Sequence, residues 1–204
     1  VRGQTVELRQ HQGDTPQADY TSLTYTYTPA GQVETVTDEE DNVWRNHYDL
    51  RGRKVRTDEP DRGTTTFVYD SADQVVARTD ARDETIVYVY DELGRKVEQR
   101  EGGSDGPLLA SWTFDTVAKG ELTRAVRYTD GLQYTTSIGA YDSLGRPLAT
   151  TINIPSDPAY GNLSGSYRFR STYNSDGSIR TNTLPAAGGL PEEVVSYTYN
   201  ELGM

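Results

Sequence analysis

Two histidines, no cysteine and 31 acidic residues bound the chemistry open to this 204-residue chain. A nucleophile–base relay needs an imidazole beside a serine or cysteine. His11 and His47 stand 36 positions apart, and His47 directly precedes Tyr48 in a strand-like stretch. Both read as ordinary sheet residues, so no catalytic residue is assigned and the chain is expected not to be an enzyme. Without thiolates, a metal would need oxygen ligands. Asp38-Glu39-Glu40-Asp41-Asn42 offers acids for a hard cation but lacks the glycine and the ligand spacing of an EF-hand loop. It reads as a solvated acidic turn, as does Asn174-Ser175-Asp176-Gly177. No metal site and no cofactor is assigned. Carboxylate pairs for glycoside hydrolysis cannot be singled out among so many acids.

The informative residues are aromatic. Tyr27, Tyr48, Tyr69 and Tyr90 lie 21 residues apart, and Phe114, Tyr141, Tyr173 and Tyr199 continue the series at intervals of 24, 27, 32 and 26. Five of the eight precede an aspartate: Asp49, Asp70, Asp91, Asp115 and Asp142. Six have glycine at the fourth place: Gly31, Gly52, Gly94, Gly145, Gly177 and Gly203. Asp73 and Ala118 replace it in the other two. Such self-similarity predicts one small unit stacked many times, not a single wrapped core. The aromatics are assigned to stacking between hairpins and the glycines to turn geometry.

Within one unit, Asp49 to Arg53 reads as a turn and Lys54 to Thr57 as a short strand. Asp58 to Gly63 is a second turn, and Thr64 to Tyr69 a longer strand rich in β-branched and aromatic residues. Asp130-Gly131 is a two-residue hairpin signal. Insertions gather in the second turn, at Gly102 to Gly106 and Pro155 to Gly165. Strand alternation puts each recurring aromatic on the face of the residue two places earlier, and Tyr25, Phe67, Tyr88, Trp112 and Tyr197 make that face aromatic. No window carries a helical period.

The expected fold is therefore all-β: tandem antiparallel hairpins in a curved, spiral-like extended sheet of about sixteen strands. The whole of 1–204 reads as one array. Its units are approximately 1–26, 27–47, 48–68, 69–89, 90–113, 114–140, 141–172, 173–198 and 199–204. Val1 to Val6 align with Leu50 to Val55, and Tyr199 to Met204 open another turn, so the array is expected to be truncated at both ends. A net charge of −11 argues against nucleic acid as a partner. No apolar run suits membrane insertion by this segment. Aromatics make up 10% of the residues, too many for an acidic disordered chain.

Tyr90-Asp91-Glu92-Leu93-Gly94-Arg95, Tyr48-Asp49-Leu50-Arg51-Gly52-Arg53 and Tyr141-Asp142-Ser143-Leu144-Gly145-Arg146 resemble the signature of YD repeats, also called RHS repeats, and the pattern covers nearly the whole chain. It weakens at Tyr27, Tyr69 and Phe114, where distorted turns are expected. The resemblance implies a hollow spiral shell of hairpins, as in large exported bacterial proteins, toxin-complex subunits and teneurins. In toxins of this kind the shell encloses a C-terminal toxin; in teneurins it supports adhesion. The implied location is secreted or cell-surface, in a bacterium. The implied partners are the remaining repeats of a parent protein and an enclosed toxin domain. Toxin-bearing relatives self-cleave at an Asp-Pro-x-Gly motif. Asp157-Pro158-Ala159-Tyr160-Gly161 echoes it with one residue too many and reads as a surface loop. Asn162-Leu163-Ser164 matches a glycosylation sequon by pattern alone.

The expected function is a structural shell segment encapsulating a toxin or other cargo. The alternative is a cell-surface adhesin or carbohydrate-binding module using the same aromatic rows. Glycan is the less favoured partner, and edge-to-edge self-association stays open.

Overall fold

The computed structural model describes residues 3–11, 13 and 19–200. Two compact units divide the chain, one comprising Val1–Tyr88 with Glu101–Gly106 and the other Val89–Arg100 with Pro107–Met204. The first contains β1 (Glu7–His11), β2 (Tyr20–Tyr27), β3 (Val33–Thr37), β4 (Val43–Tyr48), β5 (Lys54–Glu59), β6 (Gly63–Tyr69) and β7 (Val75–Thr79). β8 (Thr85–Tyr90) and β9 (Lys96–Glu101) carry residues of both. The second contains β10 (Leu108–Phe114), β11 (Leu122–Thr129), β12 (Leu132–Tyr141), β13 (Pro147–Ile154), β14 (Gly165–Tyr173), β15 (Ile179–Leu184) and β16 (Glu193–Ser196). These sixteen strands, counted among the described residues, form one sheet whose order is that of the chain. Registers in both units are antiparallel throughout. The all-β hairpin array read from the repeat is the fold observed.

Strand limits follow the turn chemistry closely. The second turn of the Tyr48 unit narrows to Pro60–Arg62, because Glu59 pairs with Gly63 across it. Thr129 pairs with Leu132, which leaves Asp130 and Gly131 as a two-residue loop. Their φ angles of 51° and 77° are both positive, as a type I′ turn requires. The Pro155 to Gly165 insertion holds a short 3-10 segment, Pro158–Leu163, opened by Asp157, whose Oδ1 accepts the Ala159 amide at 2.7 Å. β16 stops at Ser196, so Tyr199 lies past its strand instead of within it.

The described residues form almost no conventional core. Among the described residues, the buried apolar side chains are Val126 at 5% and Ala149 at 7% exposure, joined by Thr35, Thr57, Thr65 and Thr135. A β-branched side chain with a hydroxyl suits a surface packed only by its neighbours in the sheet. Thr26 and Thr35 share a hydroxyl hydrogen bond of 2.6 Å across β2 and β3, and Thr172 and Thr181 do the same across β14 and β15. The fold therefore rests on ladders and cross-strand pairs.

The Asp130-Gly131 turn isolates a backbone effect, since nothing lies within 4 Å of a Cβ built on Gly131. Gly131→Val is expected to cost at least about 1 kcal/mol through its positive φ alone, read as a lower urea midpoint with unchanged m. An unchanged midpoint would contradict the turn assignment.

Candidate functional site

The repeated feature is a joint, where one hairpin unit meets the next. Each recurring aromatic closes its longer strand: Tyr27 ends β2, Tyr48 β4, Tyr69 β6, Tyr90 β8, Phe114 β10, Tyr141 β12 and Tyr173 β14. Tyr199 follows β16. Register slips directly before six of them, Tyr27, Tyr48, Tyr69, Phe114, Tyr141 and Tyr173. His47 pairs with Arg56 but Tyr48 with Lys54, which leaves Val55 as the extra residue of a β-bulge.

The turn that follows lies one strand pair beyond this bulge. The Gly52 amide donates to the Asp49 carbonyl at 3.0 Å and the Asp49 amide to the Arg53 carbonyl at 2.9 Å. That is a type I turn followed by a left-handed residue, the three-residue hairpin loop that carries its own bulge. Asp49 Oδ1 also accepts the amides of Arg51 and Arg53, each at 2.9 Å, and Oδ2 accepts Arg53 Nε at 2.7 Å. Asp91 with Arg95 and Asp142 with Arg146 repeat this arrangement.

The tyrosine hydroxyls then reach back to the preceding unit. Tyr27, Tyr48, Tyr69, Tyr141, Tyr173 and Tyr199 donate to the carbonyls of Thr5, Val33, Lys54, Leu122, Pro147 and Ile179, at 2.5 to 3.2 Å. Every acceptor lies two residues before the first ladder pair of its joint. Val33 precedes the Thr35–Arg45 pair, and Lys54 the Arg56–Thr66 pair. The hydroxyl supplies the hydrogen bond where the two backbones have stopped pairing. Burial pushes the Tyr48 and Tyr141 phenols up from their ordinary pKa, with the Glu121 carboxylate adding to the effect at Tyr141.

Gly31, Gly52, Gly94, Gly145 and Gly177 all have positive φ, while Gly203 lies outside the described residues. At Gly52, φ is 81° and a Cβ would stand 3.2 Å from Gln32 Nε2 of the preceding unit, so both backbone and space call for glycine. Two of the three turns expected to be distorted are regular. Thr28 makes the same pair of bonds with Gly31 and Gln32, and Asp73 takes the left-handed position itself at φ 64°. Aspartate tolerates that region better than most residues. The Phe114 turn alone among the three is enlarged: the Asp115 amide reaches Glu121, and both Asp115 and Gly120 take positive φ.

The acidic run is the same device. Asp38 Oδ1 accepts the amides of Glu40 and Asn42, and Asp41 sits at φ 61°. No group of three His, Cys, Asp or Glu among the described residues is placed to hold a metal. His47 Nε2 lies 2.8 Å from Asp58 Oδ2, while the Thr64 hydroxyl donates to Asp58 Oδ1 at 2.7 Å. The carboxylate stands between hydroxyl and imidazole, so the three do not form a nucleophile relay. Hydrogen bonds from Thr64, Arg56 and His47 hold the Asp58 carboxyl well below the usual range.

The model of the Teneurin YD-shell family matches residues 9–154. The chain belongs to that family. Among solved structures, the Tc holotoxin pore of Photorhabdus luminescens is similar with a TM-score of 0.66 at 15% identity, covering 91% of this chain and 11% of that one. The TcdB2-TccC3 crystal structure gives 0.66 at 16%, covering 99% and 12%. The likeness is one of fold, and this YD-shell chain spans about a tenth of those chains. A search of curated protein sequences finds no match.

Sequence reasoning missed one partner in the YD-shell joint, the side chain directly after each turn. The guanidinium of Arg53 lies 4.8 Å over the Tyr69 ring, that of Arg95 4.4 Å over Phe114, and that of Arg146 4.2 Å over Tyr173. The signal was available: the position reads Gln4, Gln32, Arg53, Gln74, Arg95, Glu121, Arg146 and Ser178 through the repeats.

A separate feature of the second unit is a cleft of about 370 Å³ on one sheet face, where Trp112 and Tyr134 flank Ala110, Ala125 and Thr136. Arg127 stacks on Tyr134 at 4.4 Å.

Tyr69→Phe keeps the ring under Arg53 and removes only the bond to Lys54, so it is expected to cost about 1 kcal/mol, measured by urea unfolding. No loss would remove the hydroxyl from the account. A pH dependence follows as well. The Arg53, Arg95 and Arg146 amides, with those arginines' side chains, hold the Asp49, Asp91 and Asp142 carboxyls below the usual carboxylate range. Asp115 is lowered to about 2 by the Arg95 side chain and the Gly120 amide. A carboxylate lowered by folding stabilises above its unfolded pKa, and that contribution fades as pH falls through the folded value. The urea midpoint is expected to hold from neutral pH to about 4.5 and to fall towards about pH 2, with a shallower fall in Asp142→Asn. A midpoint that rises on acidification would contradict this.

Proposed function

We propose that this chain is one section of a longer YD-repeat wall that encloses a cargo, a toxin domain foremost, in a secreted or surface-exposed protein. Its role is containment, without catalytic turnover. The observation that carries the reading is the joint: backbone pairing and turn recur along the chain, with a tyrosine cap on six of the eight recurring aromatics, so a sheet built this way can extend without needing a core. Family membership and the likeness of fold to proteins of toxin complexes support it, as does the small share of those chains that this one spans. Among the described residues no helix is long and apolar enough to cross a membrane.

The test is protease protection in the full parent polypeptide. The cargo segment is expected to resist trypsin while the array is intact, and to become sensitive when two neighbouring caps are removed in Tyr48→Ala/Tyr69→Ala. Equal digestion of the cargo segment in both proteins would contradict containment.

A second reading, glycan binding, draws on the cleft, since indole and phenol faces stack on sugar rings. It expects dose-dependent binding on a glycan array that Trp112→Ala abolishes with folding unchanged. An array without hits leaves the containment reading alone.

A further inference from the structure

The side chains that follow the turns differ in chemistry, and so do the surfaces they reach in the next unit. Gln4 Nε2 donates to the Gly31 carbonyl at 2.8 Å, and Gln32 Nε2 to the Gly52 carbonyl at 2.6 Å. Arg53 Nη1 instead meets Asp73 Oδ1 at 2.8 Å and the Asp70 carbonyl at 3.1 Å. Arg95 Nη2 meets Asp115 Oδ2 at 2.6 Å. Arg146 stacks on Tyr173, and its Nη1 stands 3.3 Å from where a Cβ would lie on Gly177, in a turn that also carries Asp176. Arg53 and Arg95 thus each bond a carboxylate in the following turn, and each of these two glutamines a glycine carbonyl.

The turns receiving glutamine would suit a guanidinium poorly. Thr28 to Gly31 contains no acid. In Asp49 to Gly52 the aspartate already holds its own Arg53, and Arg51 stands beside the receiving Gly52. The turn receiving Arg53 is the one in which aspartate replaces the glycine, and that carboxylate also binds Arg51 at 2.8 Å. Arg95 shows how demanding a guanidinium is at a joint: with Nη2 bound to Asp115, its Nη1 is still buried and has no hydrogen-bond partner among the described residues. A charge facing the wrong group loses more than an amide does, which turns contact into selection.

We propose that the residue directly after each turn is a pairing determinant, which selects the repeat that packs next: arginine selects a turn carrying a carboxylate, glutamine a turn presenting a glycine carbonyl. The partner it fits is a YD hairpin of matching turn chemistry, in this chain or in another section of the same array. The code is written in turn residues, so it operates beside the backbone ladder, which is common to all units and cannot distinguish them.

The experiment is a double-mutant cycle in the 204-residue chain, using Arg53→Gln and Asp73→Gly. Each single change is expected to lower the urea midpoint. The double variant, which rebuilds the glutamine–glycine match of the preceding joint, is expected to return most of the loss. Losses that simply add would overturn the proposal. Arg51→Gln alone measures how much of the Asp73→Gly loss belongs to the Arg51 pair. A second arm covers the case where a variant fails to fold: Gln32→Arg is expected to lower the midpoint and Gln32→Arg/Arg51→Asp to recover it, whereas a neutral Gln32→Arg would overturn the selection.

Discussion

A sheet one layer thick has few places to bury a side chain, so its backbone hydrogen bonds must be completed at their ends by other means. The tyrosine hydroxyl meets that constraint at the joint. Turn and bulge recur together at the end of each longer strand, and on the other side of that strand a carbonyl is left beyond the last backbone pair. A phenol reaching back to it, at Val33, Lys54, Leu122 and their equivalents, ties one unit to the one before. The ring is fixed by its place at the end of the longer strand, and the glycine or aspartate that follows fixes the turn. The aromatic, the acid and the left-handed residue are thus parts of one device.

The device accounts for tolerance as well as for repetition. Asp38 and Asp80 build the same turn on the opposite side of their hairpins, with Asp41 and Asp83 in the left-handed place. The insertion that holds the 3-10 segment after β13 leaves the strands on either side paired in regular register. A wall assembled this way can change its loops, and with them its surface, without changing the pairing that holds it. Such a separation fits the containment proposed for this chain.

Much of this was legible in the sequence, for a physical reason: repeats multiply a local signal. The Tyr-Asp-x-x-Gly spacing gave the hairpin array, and Asp130-Gly131 gave its turn to the residue. Where the reading fell short, the missing interaction joins residues far apart in the chain. Tyr69 and Lys54 are neighbours only once two strands have paired, and Arg53 meets Asp73 only across a joint. Asp73 looked like a defect because a glycine was missing, yet aspartate reaches the same φ and serves the arginine as well. The acid run at Asp38 to Asn42, read as a solvated acidic turn, is a turn in which the Asp38 carboxylate accepts the amides of Glu40 and Asn42.

Exchange of tyrosine hydroxyl protons with solvent, measured by NMR with the phenol carbon labelled, tests the central interaction most directly. The Tyr48 and Tyr141 hydroxyls, whose bonds to Val33 and Leu122 are partly buried, are expected to exchange more slowly than free phenol in the folded chain and to lose that protection on unfolding. Exchange at the rate of free phenol at both residues, in a chain that keeps its strand content, would contradict the hydroxyl as the closure of the joint.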